Sequence, residues 1–143
     1  YQIIPTACRR CVVKLDPKKE KTKLARWQQI AEAAAKQRKR SLIPEIMPVI
    51  SLREAFARSQ KMQVRLIPYE RAEGMEKTRE ILKGIRPGDE VAVFIGPEGG
   101  FEEAEIEEAM KAQIKPVTLG KRILRTETAG MTVLAFLLYQ LEQ

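Results

Sequence analysis

Apolar positions along the chain alternate between short dense runs and longer stretches with helical spacing. The dense runs predict strands at residues 11–15, 47–50, 64–68, 91–95 and 116–119. Helical spacing predicts one helix from residue 24 into the basic run 36–40, and further helices at residues 51–59, 75–83, 102–111 and 127–142. Strands that alternate with helices are typical of an α/β domain with a mainly parallel sheet flanked by helices. The run at 91–95 is apolar at every position, which predicts a central strand covered on both faces.

Local signals place several element ends. A lysine-rich loop is predicted at 16–23, and the helix after it ends in the basic run 36–40, which suits a helix C-terminus. One apolar stripe is expected on this helix, formed by Leu24, Trp27, Ile30, Ala31 and Ala34. Ser51 and Glu54 have the spacing of a capping box, and 87–89 (Pro-Gly-Asp) predict a turn.

Charge is distributed unevenly over the 143 residues, which suffice for one domain with a sizeable core. The net charge is +7, but residues 1–65 hold 16 basic and 5 acidic side chains, whereas residues 66–143 hold 10 and 14. Clustered cations attract a polyanion, because binding releases condensed counterions. The first half therefore favours contact with RNA or DNA over a merely solvated lysine face.

The residue inventory excludes several kinds of site. The chain has no histidine, which rules out histidine bases, Ser-His-Asp triads and histidine metal sites. Cys8 and Cys11 form a single C-x-x-C without the second pair of a zinc ribbon, so we expect reduced thiols and no metal. The longest apolar stretch, 133–138, is too short to span a membrane, and no export signal opens the chain. We expect a cytoplasmic protein without membrane contact.

The first candidate loop is IGPEGG at residues 95–100, between a predicted strand and a helix. Its three glycines permit positive φ and close approach of a ligand, although a plain tight turn has the same composition. No P-loop or dinucleotide-binding glycine motif is present. The next helix begins with acidic residues that would repel a polyphosphate, namely Glu102, Glu103, Glu105, Glu107 and Glu108. A nucleoside ligand without phosphates fits better.

The second candidate loop is LGKRILRTETA at residues 119–129. Ile123 and Leu124 are suited to walling an adenine pocket, and Arg125 and Glu127 to acting on a substrate. Thr126, or otherwise Thr128, is predicted to cap the last helix. That helix is apolar almost all round, which predicts burial on more than one face, against a partner subunit or another domain.

Taken together, the two loops resemble those of the RsmE family of ribosomal RNA uridine methyltransferases, in the SPOUT superfamily. Arg26-Trp27, the Ala-x-Gln pattern at 35–37, Arg40 and Pro44 are similar to an upstream stretch of the same family. The resemblance covers essentially all 143 residues.

The resemblance implies a SPOUT-type fold with a deep C-terminal trefoil knot, a homodimer, and S-adenosylmethionine as the cofactor. It implies methyl transfer to N3 of a uridine in small-subunit ribosomal RNA. Arg125 is expected to stabilise negative charge on the uracil, and Glu127, or less favourably Glu98, to take the proton. The implied cofactor-binding residues are Ile67, Pro68, Ile95, Gly96, Pro97, Glu98, Gly99, Gly100, Leu119, Gly120, Ile123, Leu124, Arg125, Thr128 and Ala129.

RNA contact is expected from the basic residues of the first half. These are Arg9, Arg10, Lys36, Arg38, Lys39 and Arg40. Family members carry a PUA-like RNA-binding domain before the stretch that starts here, so we expect residues 1–143 to form the methyltransferase domain alone. Two alternatives remain open: a SPOUT enzyme for another RNA, and a non-catalytic RNA-binding or assembly module.

Overall fold

The computed structural model describes residues 1–11, 16–72 and 74–142. These residues contain seven strands and five helices. In chain order they are β1 (Gln2–Ile3), β2 (Thr6–Ala7), α1 (Pro17–Gln37), β3 (Glu45–Ile46), β4 (Ile50–Ser51), α2 (Leu52–Ser59), β5 (Val64–Pro68), α3 (Met75–Lys83), β6 (Val91–Val93), α4 (Glu103–Lys111), β7 (Lys115–Val117) and α5 (Thr126–Leu141). The chain divides into two units: Tyr1–Ala7 with Cys11–Ala55, and Cys8–Arg10 with Phe56–Gln143. All the strand pairs are parallel in the described residues.

In the first unit, α1 begins earlier than predicted. The Asp16 side chain caps the helix by accepting a hydrogen bond from the Lys19 amide at 2.8 Å, and Pro17 occupies the first turn. Both residue types favour a helix start. The predicted loop at 16–23 is therefore wrong, because an Asp-Pro start outweighs a lysine-rich composition.

The buried face of α1 also differs from the predicted stripe. Leu24, Trp27 and Ala31 are half-buried as expected, but Ala35 is the buried residue and Ile30 is 57% exposed. Gln28 shares the inward side, where its side-chain amide donates to the Pro44 carbonyl and accepts from the Ile46 amide. A polar residue thus holds β3 against the helix, which the apolar spacing alone does not reveal.

Two short strands replace the one predicted at 47–50. β1 pairs with β3 and β2 pairs with β4, and Pro48, which has no amide hydrogen, lies between β3 and β4. The capping box before α2 is confirmed: the Glu54 amide donates to the Ser51 hydroxyl, and the Ser51 amide donates to the Glu54 carboxylate. In the strand predicted at 11–15, residues 12–15 lie outside the described residues.

The second unit contains a three-stranded sheet in the order β6-β5-β7. The prediction at 64–68 is confirmed as β5, the central strand, in which Leu66 and Ile67 are almost fully buried on opposite faces. The prediction that 91–95 is central is not met within the described residues, where β6 is half-buried and pairs with β5 alone. Arg65 interrupts the apolar run of β5 and hides its central position from the sequence pattern.

Helices cover this sheet. α3 packs against α5 and β7, and α4 packs against β7. The core consists of Leu66, Ile85, Val117, Val133 and Leu137. The helices predicted at 75–83, 102–111 and 127–142 are confirmed within one residue at each end. No helix among the described residues has both the length and the apolar character needed to span a membrane.

Candidate active site

Two loops begin at the same edge of the three-stranded sheet. One follows β6 and the other follows β7, and both strands pair in parallel with β5. The carboxyl ends of parallel strands form the usual ligand-binding edge of an open α/β sheet. A cavity of about 570 Å³ lies there, lined by the two loops, by the end of β5 and by the residues that follow β5.

The first loop, at residues 95–100, contains a tight turn. The Gly100 amide donates to the Pro97 carbonyl at 2.8 Å, and Gly100 has a φ of 71°, which glycine adopts readily. Gly96 is required for a different reason, because a Cβ there would lie 3.0 Å from the Phe101 ring. Of the three glycines predicted to exploit positive φ, only Gly100 does so.

The second loop leaves β7 through a buried polar contact. The Thr118 amide donates to the Thr78 hydroxyl at 3.0 Å, and both threonines are buried. The Thr118 hydroxyl then lies 3.3 Å from both the amide nitrogen and the carbonyl oxygen of Gly120, whose φ is 117°. These contacts tie the start of the loop to α3.

The side chains predicted to act in catalysis or to wall the pocket lie after Gly120 in the second loop. Ile123 lines the cavity but is 81% exposed, whereas Leu124 is half-buried. Arg125 and Glu127 line the same cavity and are exposed. The N-cap of α5 is Arg125, without a side-chain capping bond, so the predicted Thr126 cap is wrong. The helix starts one residue earlier than the sequence indicates.

Most of the predicted cofactor-binding residues line the cavity. They are Pro68, Ile95, Gly96, Pro97, Glu98, Gly99, Gly100, Leu119, Gly120, Ile123, Leu124, Arg125 and Ala129. Ile67 and Thr128 do not. Ile67 is completely buried in β5, and the Thr128 carbonyl accepts a hydrogen bond from the Thr132 hydroxyl within α5.

The cavity wall includes further side chains that sequence reasoning did not single out. They are Tyr69, Glu70, Phe101, Thr118, Lys121, Arg122 and Thr126. Lys121, Arg122 and Thr126 lie inside the second candidate loop, and the other four lie one or two positions from a predicted residue. Carboxylates and cations both reach this wall.

The acidic start of α4 is compensated by arginines. Glu102 lies 3.4 Å from the Arg9 Nη1 and 3.9 Å from the Arg10 Nε, and Glu103 pairs with Arg71. Glu105 is 5% exposed and accepts hydrogen bonds from two backbone amides. The charge argument against a phosphate ligand is therefore weaker than the sequence indicates, whereas the lack of a P-loop motif stands.

The six basic residues predicted to contact RNA fall in both units. Lys36, Arg38, Lys39 and Arg40 are all exposed at the end of α1 in the first unit, where Lys39 adopts a φ of 51°. Arg9 and Arg10 belong to the second unit and are engaged with α4 and the first loop.

Comparison with known proteins finds relatives that are named as RNA methyltransferases. A family model described as an RNA methyltransferase domain matches residues 1–138. The chain is 37% identical over 145 aligned positions to ribosomal RNA small subunit methyltransferase E of Bacillus subtilis (strain 168), covering 99% of this chain and 57% of that protein. It is 39% identical over 112 positions to the protein of the same name from Mesomycoplasma hyopneumoniae (strain 232), covering 78% and 47%. The chain thus spans about half the length of these relatives.

Similar solved structures are also named as methyltransferases. A ribosomal RNA small subunit methyltransferase E from Neisseria gonorrhoeae, bound to S-adenosyl methionine, matches with a TM-score of 0.81 and 35% identity over 98% of this chain and 55% of that chain. A putative methyltransferase from Legionella pneumophila, in complex with the cofactor SAM, matches with a TM-score of 0.84 and 35% identity over 95% and 54%. An α/β fold with parallel strands flanked by helices is common to this group.

Proposed function

The chain belongs to the RNA methyltransferase domain family, and from that premise we propose that it is the catalytic domain of an S-adenosylmethionine-dependent methyltransferase. The proposed reaction is methylation of N3 of a uridine in small-subunit ribosomal RNA. One observation carries the proposal: the two loops that define the family resemblance enclose a single cavity at the carboxyl ends of the parallel strands. Relatives named ribosomal RNA small subunit methyltransferase E, and two related structures solved with S-adenosylmethionine, support the cofactor and the class of RNA in this proposal.

The cavity suits this cofactor in size, backbone access and charge. Its volume of about 570 Å³ lies within the roughly 300–1,000 Å³ of small-molecule sites. A Cβ at Gly100 or Gly120 would meet no atom within 4 Å, so a ligand can approach the backbone there. Carboxylates and cations both line the wall, which matches a ligand with a sulfonium, an ammonium and a carboxylate group.

In this proposal the cofactor is held by the cofactor-binding residues predicted from the sequence. The lining members contact the ligand, while Ile67 supports Pro68 from within β5 and Thr128 supports the first turn of α5. When bound, the cofactor supplies an electrophilic methyl group. The protein contributes position and electrostatics, which dominate catalysis of an in-line displacement.

Arg125 and Glu127 are the proposed catalytic residues. Uridine N3 carries a proton at neutral pH, so methylation there requires its removal. The Arg125 guanidinium stabilises the negative charge that develops on the uracil oxygens, and the Glu127 carboxylate, or a water that it orients, accepts the N3 proton. Both side chains line the cavity and are exposed, and among the described contacts neither is committed to an ion pair.

Ribosomal RNA is proposed to bind through its phosphates. The exposed cations at the end of α1, namely Lys36, Arg38, Lys39 and Arg40, are the proposed contacts. Arg9 and Arg10, the other two predicted contacts, are close to Glu102 and are left out of this surface.

The remaining features are proposed from family membership. We infer a deep trefoil knot in the C-terminal segment, one methyltransferase domain over residues 1–143, a homodimer and a cytoplasmic location. The dimer has independent support, because α5 exposes Met131, Leu134, Leu138 and Tyr139.

Calorimetric titration with S-adenosylmethionine tests the proposed function on this chain. Saturable binding with one site per chain is the expected result. An absence of heat at high micromolar cofactor, with the protein folded, would overturn the catalytic proposal and favour a non-catalytic RNA-binding module. Nucleoside analysis of RNA treated with the full-length protein then identifies the product, and a methyl group anywhere but uridine N3 would indicate another SPOUT reaction.

A further inference from the structure

The segment Cys8–Arg10 contacts the first loop across 89 positions of sequence. The Arg10 Nη1 donates a hydrogen bond to the Gly99 carbonyl at 2.7 Å. The aliphatic part of Arg10 also covers this glycine, since its Cδ and Cβ would lie 3.5 and 3.6 Å from a Cβ at Gly99. One side chain therefore both bonds and packs against the loop that lines the cavity.

A buried carboxylate holds the segment in place. The Arg9 amide donates to one oxygen of Glu105 at 2.9 Å, and the Glu102 amide donates to the other at 2.8 Å. Glu105 is 5% exposed, and a buried carboxylate bonded through both oxygens is a rigid anchor. The anchor joins the backbone of the segment to the first turn of α4, immediately after the loop.

The Arg10 guanidinium is oriented from both ends. Its Nε lies 3.9 Å from the Glu102 carboxylate while Nη1 donates to Gly99, and the side chain is half exposed. An arginine that bridges a carboxylate and a carbonyl is pre-organised by its planar fork. These two contacts direct the guanidinium towards the first loop and the start of α4.

We propose that Arg10 is a positioning residue for the cofactor loop: through the Gly99 carbonyl it holds residues 95–100 in the conformation that binds the cofactor. This inference rests on the proposed function and assigns Arg10 to the loop instead of to RNA phosphates. Arg10 itself does not line the cavity.

Hydrogen exchange and cofactor binding test this role together. In Arg10→Ala without cofactor, the Gly100 amide, which donates to Pro97 in the loop turn, is expected to exchange about tenfold faster, as for the loss of one hydrogen bond to a charged group. The Kd for S-adenosylmethionine is expected to rise by a similar factor. The salt dependence of RNA binding by the full-length protein is expected to stay unchanged.

Arg71→Ala is the matched control, because Arg71 is an exposed arginine paired with Glu103 at the start of the same helix and does not line the cavity. Gly100 exchange and cofactor Kd in Arg10→Ala equal to those of Arg71→Ala would overturn the inference, as would a flatter salt dependence in Arg10→Ala. If Arg10→Ala does not fold, Arg10→Lys is compared with Arg71→Lys, and exchange at Gly100 must still be faster in the former. The exchange measurement needs no cofactor, so failure of the wild-type chain to bind it refutes the proposed function separately.

Discussion

Gly96 and Phe101 leave less room between them than a methyl group needs. Three atoms of the Phe101 ring would lie within 3.0 to 3.4 Å of a Cβ at position 96, and the ring is itself buried. The ring lines the cavity immediately after the first loop. Its close approach to Gly96 therefore constrains both the position of the ring and the path of the loop.

Gly96→Ala is expected to destabilise the protein by about 1–3 kcal/mol, the usual cost of overpacking a filled site. Denaturant unfolding measures this cost. Gly99→Ala is the control for stability, because its Cβ would contact only Arg10 at ordinary distances, and it is expected to cost less. Equal losses of unfolding free energy in the two variants would show that the Phe101 ring moves aside without cost and would contradict this prediction.

Arg125→Ala in the full-length protein is expected to reduce kcat by roughly 10²–10³-fold, the effect of removing one group that stabilises developing charge. The Kd for the cofactor is expected to rise by a much smaller factor than kcat falls, because Arg125 is one of many residues that line the cofactor cavity but the one proposed to stabilise charge on the uracil. Single-turnover methylation and calorimetry give the two quantities. Unchanged turnover would remove Arg125 from the catalytic proposal.

At the scale of elements, one buried bond joins α3 to the end of β7. The Thr118 amide finds its acceptor in the Thr78 hydroxyl, and Thr118 in turn contacts Gly120 in the second loop. The bond satisfies a backbone donor that would otherwise be buried without a partner. The cavity wall is therefore supported by α3, although no residue of α3 lines it.

Thr78→Val is expected to lower the free energy of unfolding by about 1–3 kcal/mol, since it keeps the volume and leaves the Thr118 amide unsatisfied. Thr22→Val is the matched control: Thr22 is exposed on α1, its hydroxyl donates to the Lys18 carbonyl, and the loss of this bond is expected to cost about 0.5 kcal/mol or less. Chemical denaturation compares the two. A Thr78→Val variant as stable as its control would contradict this account.

At the scale of the whole molecule, apolar surface is concentrated on α5. Val133 and Leu137 enter the core, while Met131, Leu134 and Tyr139 are more than half exposed. Contiguous apolar surface on a protein of this size is typical of an interface. A second copy of the chain is the proposed partner.

Leu134→Glu is expected to convert the proposed dimer into a monomer, because a charge would be buried in an apolar interface. Light scattering or sedimentation gives the mass. Ile30→Glu is the control, since Ile30 is exposed to a similar extent, 57% against 59%, but lies on α1. A wild-type monomer, or a dimer that survives Leu134→Glu, would refute the proposed interface.

Local signals predicted a large part of this structure. The Ser51 and Glu54 capping box, the strand at 64–68 and the three helices after it all form as expected, because each depends on residues a few positions apart. The pair Asp16-Pro17 is itself a local signal for the early start of α1. No local signal predicts the exposure of Ile30, because the side of a helix that is buried depends on what packs against it.

By itself the sequence determined the α/β class, the two loops of the cavity and the family, since periodicity, capping and loop motifs are local properties of the chain. Only the tertiary structure decided that β5 is central, that Ile67 lies behind the cavity wall, and that arginines neutralise the start of α4. Arg10 illustrates the physical reason: its hydrogen bond to Gly99 spans 89 positions, and no local pattern of charge or hydrophobicity predicts which distant groups will meet once the sheet has formed.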